Sequence, residues 1–303
     1  TIHLMMRLSI LVFSLLLCFP SIIFPNSSVP SDQTQSTALE EGDRHWDLRA
    51  EGAEGGRADP REVDAAISAY REALKAEPQN LSLRWHLMRA LHFKGEYATA
   101  DREEKKRIFE EGRKIGEDSL ELLRREAAKT AGKSMDDATA LDLVPYLGQI
   151  PETAEIFFWS SAHWGKWALI FGKLKAARQG AAGKIRDLAE AVIRIDPNLE
   201  EGGGYRVLGR LHHQTPYVPF ITGWASTKKG ADLLRQAVGV NKGNFLNRLY
   251  LAEALWDMES RYKNSAKMLA ELITREAPHL ETLVEDRASQ EKALELLKQW
   301  NGK

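Results

Sequence analysis

"DPREVDAAISAYREALKAEP", residues 59–78, carries the strongest structural signal in the sequence. Asp59 can accept hydrogen bonds from the free amides of a first helical turn, and Pro60 has the backbone angle of the first helical position. Small and large apolar positions then recur at spacings of four, three and five, at Ala66, Tyr70, Ala73 and Pro78. The stretch therefore predicts a capped amphipathic helix whose alanines allow close contact with a second helix.

The same spacing returns near the other end of the chain, in "SAKMLAELITREAP" at residues 265–278. Its matching positions are Ala266, Ala270, Ile273 and Pro278. This spacing is typical of tetratricopeptide repeats, in which helix pairs stack side by side. Between the two copies, "KGEYATA" predicts a turn at Gly95 followed by packing positions at Tyr97 and Ala100. Other repeat helices are predicted at residues 188–197, 205–211, 230–238 and 247–256.

Residues 101–129 contain nine acidic and nine basic residues and interrupt this period. The charges predict a long helix with one solvated face. We expect ion pairs four residues apart, each worth about 0.3 kcal/mol. The expected pairs are Glu103/Arg107, Glu110/Lys114 and Glu121/Arg125.

The composition is that of an ordinary globular protein, with 303 residues, 28% of them charged, and a net charge of −1. The balanced charge argues against a nucleic-acid partner, because such proteins usually carry a basic excess. No alternating strand pattern stands out. We therefore predict an all-α array of about four helix pairs in one domain, residues 36–303, with residues 281–300 as a terminal helix that covers the last pair.

Residues 1–35 form a different segment, which we interpret as an export signal and a polar tail. Arg7 precedes an uncharged apolar run, Leu8 to Phe24, and a polar tract follows. Three interpretations of this segment are open: a cleaved signal, an uncleaved membrane anchor, and a lipoprotein signal that is acylated on Cys18. In lipoprotein signals the residue before the acylated cysteine is usually small, and Leu17 is larger than that. Each predicts a location outside the cytoplasm, in the periplasm. Cys18 is the only cysteine, so no internal disulfide can form.

"AEIFFWSSAHWGKWALIFGK", residues 154–173, is apolar around most of a helix. Such a helix is normally buried on both sides, which predicts a central core helix. The alternative is that some of the indole rings line a ligand cavity. The candidate residues are Trp159, His163, Trp164 and Trp167.

"EEGGGYRVLGRLHHQTP", residues 200–216, places three glycines before a renewed helical pattern. The three glycines, Gly202 to Gly204, have two interpretations. Either they let the start of the helix pass close beneath a crowded neighbouring helix, or they expose helix amides that receive an anion beside Arg206. A loop stiffened by Pro216 and Pro219 follows. It carries aromatic residues of the kind found in binding loops, at Tyr217, Phe220 and Trp224.

Motifs of enzyme chemistry are missing from the sequence: there is no His-Glu-x-x-His, no Gly-x-Ser-x-Gly and no phosphate-cradling glycine loop. His212 and His213 are adjacent, so they face different sides of a helix and suit packing better than a shared metal. We expect a protein that is not an enzyme and needs no cofactor or metal.

The aromatic helix "FWSSAHWGKW", the helix ending in "DP" and the run "GGGYRVLG" together resemble the T-component family of tripartite ATP-independent periplasmic (TRAP) transporters. The resemblance covers roughly residues 36–280. It implies a periplasmic protein or lipoprotein that forms a homotrimer, encloses a hydrophobic cavity or pore and engages the solute-binding subunit of the transporter. The positions that match are Trp159, Trp164, Trp167, Tyr205 and Arg206.

Two functional hypotheses follow. The first is a transporter accessory protein that binds a small hydrophobic or organic-acid ligand, or docks the solute-binding subunit. Its candidate residues are Trp159, His163, Trp164, Trp167, Gly203, Gly204, Tyr205 and Arg206. The second is a general tetratricopeptide scaffold for protein–protein interaction in the bacterial envelope, in which the aromatic side chains serve only as core.

Overall fold

The computed structural model describes residues 32–216 and 222–302, and these residues form helices without any strand. The predicted all-α array is confirmed. The predicted signal with Cys18, and Tyr217, Pro219 and Phe220 of the proline loop, lie outside the described residues. The helices are α1 (Asp32–Asp47), α2 (Pro60–Ala76), α3 (Leu81–Phe93), α4 (Arg102–Ala131), α5 (Ala140–Leu143), α6 (Thr153–Phe171), α7 (Lys173–Arg178), α8 (Ala181–Ile195), α9 (Leu199–Gln214), α10 (Thr227–Val240), α11 (Phe245–Trp256), α12 (Lys263–Arg275) and α13 (Leu283–Asn301).

The helices stack as consecutive pairs in chain order. α1 packs on α2, α3 on α4, α6 on α8, α9 on α10 and α11 on α12, so α1 adds a fifth pair to the four expected. The short helices α5 and α7 lie in the connections. α13 follows the last pair and covers it, as predicted, through Ala293, Leu296 and Trp300.

α2 has the capped, alanine-lined form that its sequence predicts. Asp59 accepts a hydrogen bond from the amide of Arg61 at 2.9 Å. Ala66 and Tyr70 are fully buried, and the Tyr70 hydroxyl donates to Asp43 of α1 at 2.6 Å. In α12 the matching residues Ala266, Ala270 and Ile273 are fully buried as well. The repeat spacing therefore marks the contacts between paired helices.

The segment after α3 differs from the prediction at Ala100. Residues Lys94–Ala98 form a wide π-helical turn, and a side chain at Gly95 would meet the ring of Phe109 at 2.5 Å. Ala100 is exposed and lies just before Asp101, which caps α4 by accepting from the amide of Glu104 at 2.6 Å. The expectation that Ala100 packs between helices was wrong because the chain leaves the helix before reaching it.

α4 is the long helix that the charged run predicts, with one face buried and one solvated. Its ion pairs are one residue closer than expected. The acidic residues Glu103, Glu110 and Glu121 pair with Lys106, Arg113 and Arg124, three residues onward. Both spacings are helical neighbours, so the solvated face is confirmed although the pairings changed.

The array curves back on itself, because α13 also contacts the first repeat. Val284 is fully buried in the same core as α2 and α3. The amide of Gly56 donates to Glu291 at 2.8 Å, and Arg49 lies 3.3 Å from Glu285. This closure brings the inner side chains of the first and last repeats towards each other.

Candidate functional site

The start of α9 contains three consecutive residues in the left-handed region. Glu200, Glu201 and Gly202 have φ values of 49°, 57° and 84°. This conformation suits glycine but costs a residue with a side chain roughly 1–2 kcal/mol. The sequence predicted unusual backbone at the glycines, whereas the strain falls on the two glutamates before them. Strained backbone of this kind persists only where its surroundings hold it in place.

Asn247 of α11 is the residue that holds this segment. Its side chain is fully buried. The amide nitrogen donates to the carbonyl oxygens of Glu201 at 2.9 Å and of Ala237 at 3.1 Å. The amide oxygen accepts from Arg206 Nη1 at 2.9 Å. One side chain therefore joins α9, α10 and α11 and also positions the guanidinium.

The glycines that follow allow α9 to approach its neighbours closely. A side chain at Gly203 would meet the ring of Phe158 in α6 at 2.5 Å, and one at Gly204 would meet Ile193 of α8 at 2.9 Å. These contacts fit the expected tight entry beside the aromatic helix. Anion binding by the helix amides stays a prediction.

Arg206 is half-buried and makes no ion pair with any carboxylate of the described residues. Besides Asn247, its Nη1 donates to the carbonyl oxygen of Glu200 at 3.1 Å. Both acceptors are neutral, so the positive charge is not compensated by direct contact. Burial lowers the pKa of Arg206, and the charges of Glu200 and other groups oppose that shift. The guanidinium keeps further donors for a ligand.

Arg206 belongs to a group of partly exposed side chains whose charges influence one another, and we call this group the central recess: Arg89, His92, Glu96, Tyr97, Lys166, Glu200, Arg206, Arg210, Tyr250 and Glu285. They come from α3, the π-helical turn, α6, α9, α11 and α13. Several of them perturb one another. Burial raises the pKa of Tyr97, with further increases from Glu96, Glu285 and Tyr250, while Arg206 opposes the shift.

The residues of the central recess are accessible to solvent but are surrounded by protein. The Lys166 and Glu96 side chains form an ion pair and keep 23% and 24% of their exposure. Glu200 is exposed, yet burial raises its pKa, and Arg206 and Arg89 oppose that rise. Partial exposure together with a pKa shift caused by burial indicates that these groups lie between neighbouring helices. A ligand could therefore reach these charges in the recess, where less water competes for them.

Ion pairs hold most charges of the central recess. Arg210 binds Glu253 at 2.7 Å, and its guanidinium lies 4.2 Å from the ring centre of Tyr250. Arg49 and Glu285 join the first and last repeats as described above. Arg89 stacks on Trp46 with 4.1 Å to the ring centre. Arg206 differs from these cations because its contacts are with neutral hydrogen-bond acceptors.

The structure separates the four candidates on the aromatic helix α6. Trp159 is 8% exposed and its ring centre lies 5.5 Å from that of His92 in the central recess. His163 is fully buried and bonds through Nε2 to the carbonyl oxygen of Met88 at 2.8 Å. Both therefore pack towards α3, close to the recess.

Trp164 and Trp167 pack elsewhere, as part of the core between α4 and α8. They are 3% and 2% exposed, and their rings meet edge to face at 5.4 Å. Arg113 of α4 lies 4.8 Å from the Trp164 ring centre, and the Trp167 indole donates to Glu110. These contacts fit the core interpretation of the helix. The contacts of these two indole rings do not include Arg206, and their role in ligand binding stays a prediction.

Tyr205 is half-buried and packs against Leu208 and the neighbouring helices α8 and α10. His212 is buried against Trp224, with 5.1 Å between ring centres, and His213 bonds to Asp257 at 2.8 Å. The two histidines thus face different groups, as expected. No cluster of metal ligands occurs within residues 32–216 and 222–302.

Sequence reasoning missed the main organiser of this region, Asn247, and the inner residues Glu96, Lys166 and Tyr250. One signal was present for Asn247. It lies on the buried stripe of α11 with Leu251 and Ala254, and a polar residue in an apolar stripe usually serves a hydrogen-bond network. Nothing local marks the other three, since their contacts depend on the packing of helices that are distant in sequence.

Comparison with known proteins supports the fold. A thermophilic TPR protein of Thermus thermophilus matches 86% of this chain and 98% of its own, with a TM-score of 0.51 and 14% identity. The TPR2AB domain of yeast Sti1, solved in a pHSP90 complex, covers 89% and 99% with a TM-score of 0.30 and 13% identity. No family model and no curated protein matches the sequence. The chain has a tetratricopeptide-repeat-like fold.

Proposed function

We propose that this protein is a non-enzymatic scaffold that holds a segment of a partner protein in its central recess. The observation that carries the proposal is a set of contacts between partly exposed charges of distant elements: Lys166 with Glu96, Arg210 with Glu253, and Arg206 held by neutral acceptors. Helical repeat arrays use their concave faces in this way. The partner segment would supply hydrogen-bond acceptors and apolar side chains to a wall that already contains aromatic rings.

Arg206 is the residue that would contribute most to the free energy of partner binding. The other cations of the recess would have to exchange an existing carboxylate for a new one, which brings little net gain. Arg206 would exchange water for an acidic side chain or a terminal carboxylate, with a charge-assisted hydrogen bond as the gain. Truncating such an anchor typically costs about 2 kcal/mol or more, which is about a 30-fold loss of affinity.

Affinity capture with the purified chain tests the scaffold proposal. Arg206→Ala should lose the partners that the wild-type protein retains. Arg235→Ala is the matched control, because Arg235 lies on α10 and pairs only with Asp232 on the same helix. Partners that bind both variants equally would overturn the proposal, because they would use a surface other than the recess.

A second candidate is the transporter accessory role, with a small organic acid or the solute-binding subunit as the partner. It is favoured by one observation: the Arg206 guanidinium lies 5.9 Å from the ring centre of Phe158, so a cation and an apolar surface are adjacent. An organic acid with an apolar tail needs both. The trimer, the export to the periplasm and the acylation of Cys18 belong to this candidate as proposals.

Tryptophan fluorescence tests the transporter role and separates its two forms, because Trp159 lies next to the recess. Titration with benzoate should change the emission of the wild-type protein but not that of Arg206→Ala, and neutral benzamide should have no effect. A response to benzoate favours the small-acid role, and a response only to a purified solute-binding subunit favours docking. Equal responses to benzoate and benzamide would exclude the Arg206 site.

A further inference from the structure

A stretch of 31 residues without any acidic residue follows Glu155 and continues to Arg186. It contains six cations, although the whole chain has a net charge of −1. One of the six, Lys166, is paired with Glu96 in the central recess. The other five lie around the α6–α8 connection and are Lys173, Lys175, Arg178, Lys184 and Arg186. Lys175, Lys184 and Arg186 pack on the rings of Phe171, Trp164 and Trp224. Lys173 and Arg178 have no such contact among the described residues.

The connection forms an outer edge of the molecule rather than part of the core. α7 is bounded by Gly172 and Gly180, which have positive φ values of 93° and 66° and no atoms near the position of a side chain. Within α7 only Ala176 is buried. Lys173, Lys175 and Arg178 are all exposed to solvent.

Two large exposed apolar side chains belong to the same segment. Leu169 and Leu174 are 69% and 67% exposed, and among the leucines of the described residues only Leu280, at 84%, is more exposed. Single exposed leucines are ordinary. Two exposed leucines beside the three exposed cations of α7 form the pattern of a surface that meets both an apolar and an anionic phase.

Charges of neighbouring elements neutralise only part of this edge. Glu117 of α4 lies 3.6 Å from Lys184, and Glu110 is taken by Arg113. Arg102 adds a further cation, because its guanidinium donates to the carbonyl oxygen of Ile170 at 3.2 Å. Lys173 and Arg178 have no acidic partner within the described part of the chain. The edge therefore carries a local positive charge.

We propose that this basic edge, residues 169–184, binds the anionic surface of a lipid bilayer. Lys173, Lys175 and Arg178 would contact the phosphates, and Leu169 and Leu174 would enter the headgroup layer. Cations that surround exposed leucines fit this interface, because both the charge and the buried apolar area contribute to binding. The helices described here include none that is long and apolar enough to cross a bilayer, so the edge would bind at the surface.

Vesicle co-sedimentation tests the proposal with the full chain. The apolar run Leu8 to Phe24 can bind lipid by itself, so the readout is the difference between vesicles of phosphatidylglycerol mixed with phosphatidylcholine and vesicles of phosphatidylcholine alone. We expect Lys173→Gln with Arg178→Gln to lower the partition onto the anionic vesicles about tenfold or more. The matched control is Lys75→Gln with Lys129→Gln, which removes the same charge from two exposed positions elsewhere.

A second pair of variants tests the leucines. Leu169→Ser with Leu174→Ser should also weaken binding to the anionic vesicles, whereas Leu280→Ser, at an 84% exposed position, should not. Equal binding by wild-type and edge variants, or an equal loss in the controls, would overturn the proposal. Capture by immobilised polyglutamate without any binding to vesicles would overturn it too and would assign the edge to an acidic protein.

Discussion

Asn247 shows how one buried polar side chain can define a site. All of its hydrogen-bonding groups are used: the nitrogen donates twice to carbonyl oxygens and the oxygen accepts from Arg206. Each such bond contributes about 1 kcal/mol when made, and leaving a buried group without a partner costs more. The residue can therefore hold Glu200 and Glu201 in a conformation that neither would adopt alone.

Replacing Glu200 with glycine should raise the free energy of unfolding by about 1 kcal/mol, because glycine adopts the left-handed conformation without the clash of a side chain. Urea unfolding measures the change. Glu190→Gly in the middle of α8 is the matched control and should lower stability by about 1 kcal/mol. A loss of stability in both variants would show that residue 200 is not strained.

At the scale of elements, α13 has two different roles along its length. Its second half covers α11 and α12, as a terminal helix of a repeat array should. Its first half packs on the opening repeat, where Val284 is fully buried and Ala288 lies against Gly56. α13 is therefore both a cap and the element that closes the array.

Gly56→Ala should separate the first half of α13 from the opening repeat. A side chain at residue 56 would lie 2.5 Å from the Cα of Ala288, which is backbone and cannot rotate away. Hydrogen exchange should become faster for residues 284–290 and stay unchanged for residues 293–300. Gly239→Ala is the control, since nothing lies near that position and the change should stabilise α10 by up to about 1 kcal/mol. Unaltered exchange throughout α13 would contradict the close contact.

At the scale of the whole molecule, the contact between α13 and the first repeat closes the array, and the helix pairs then surround the central recess. Residues that are far apart in sequence, such as Glu96 and Lys166, become ion pairs there. The packing between neighbouring helices also buries His163 and His212. The stability of the molecule should therefore depend on pH.

Burial lowers the pKa of His163 and His212 to about 4, below the ordinary value of 6.5. Between these values the unfolded chain binds protons that the folded chain excludes. The free energy of unfolding should therefore decrease as the pH is lowered through this range, by about 1.4 kcal/mol per pH unit for each histidine. Burial raises the pKa of Glu155 and Glu200, which opposes the loss near the lower end of that range.

His212→Phe provides the test of this pH dependence, because neither ring nitrogen of His212 has a hydrogen-bond partner among the described residues. Urea unfolding at about pH 7 and about pH 5 should show a smaller loss of stability in the variant than in the wild-type protein, by roughly 1–2 kcal/mol. An identical loss in both proteins would mean that His212 takes up a proton without cost in the folded state.

The sequence by itself determined the all-α class, the repeat pairing and the terminal cap. These features depend on local periodicity and on the alternation of small and large residues at contact positions, such as Ala66, Tyr70 and Ala73, which a single helix displays. It also marked Gly203 as a site of close approach, because the lack of a side chain is a local property.

Only the tertiary structure decided which charges meet. Arg206 was noticed in the sequence, but its neutral partners, its neighbour Asn247 and the group of residues around it depend on how the array curves. The same curvature decided that Trp159 lies beside the recess and that Trp164 and Trp167 lie in the core. Curvature is the sum of small rotations between many helix pairs, so no single stretch of sequence contains it.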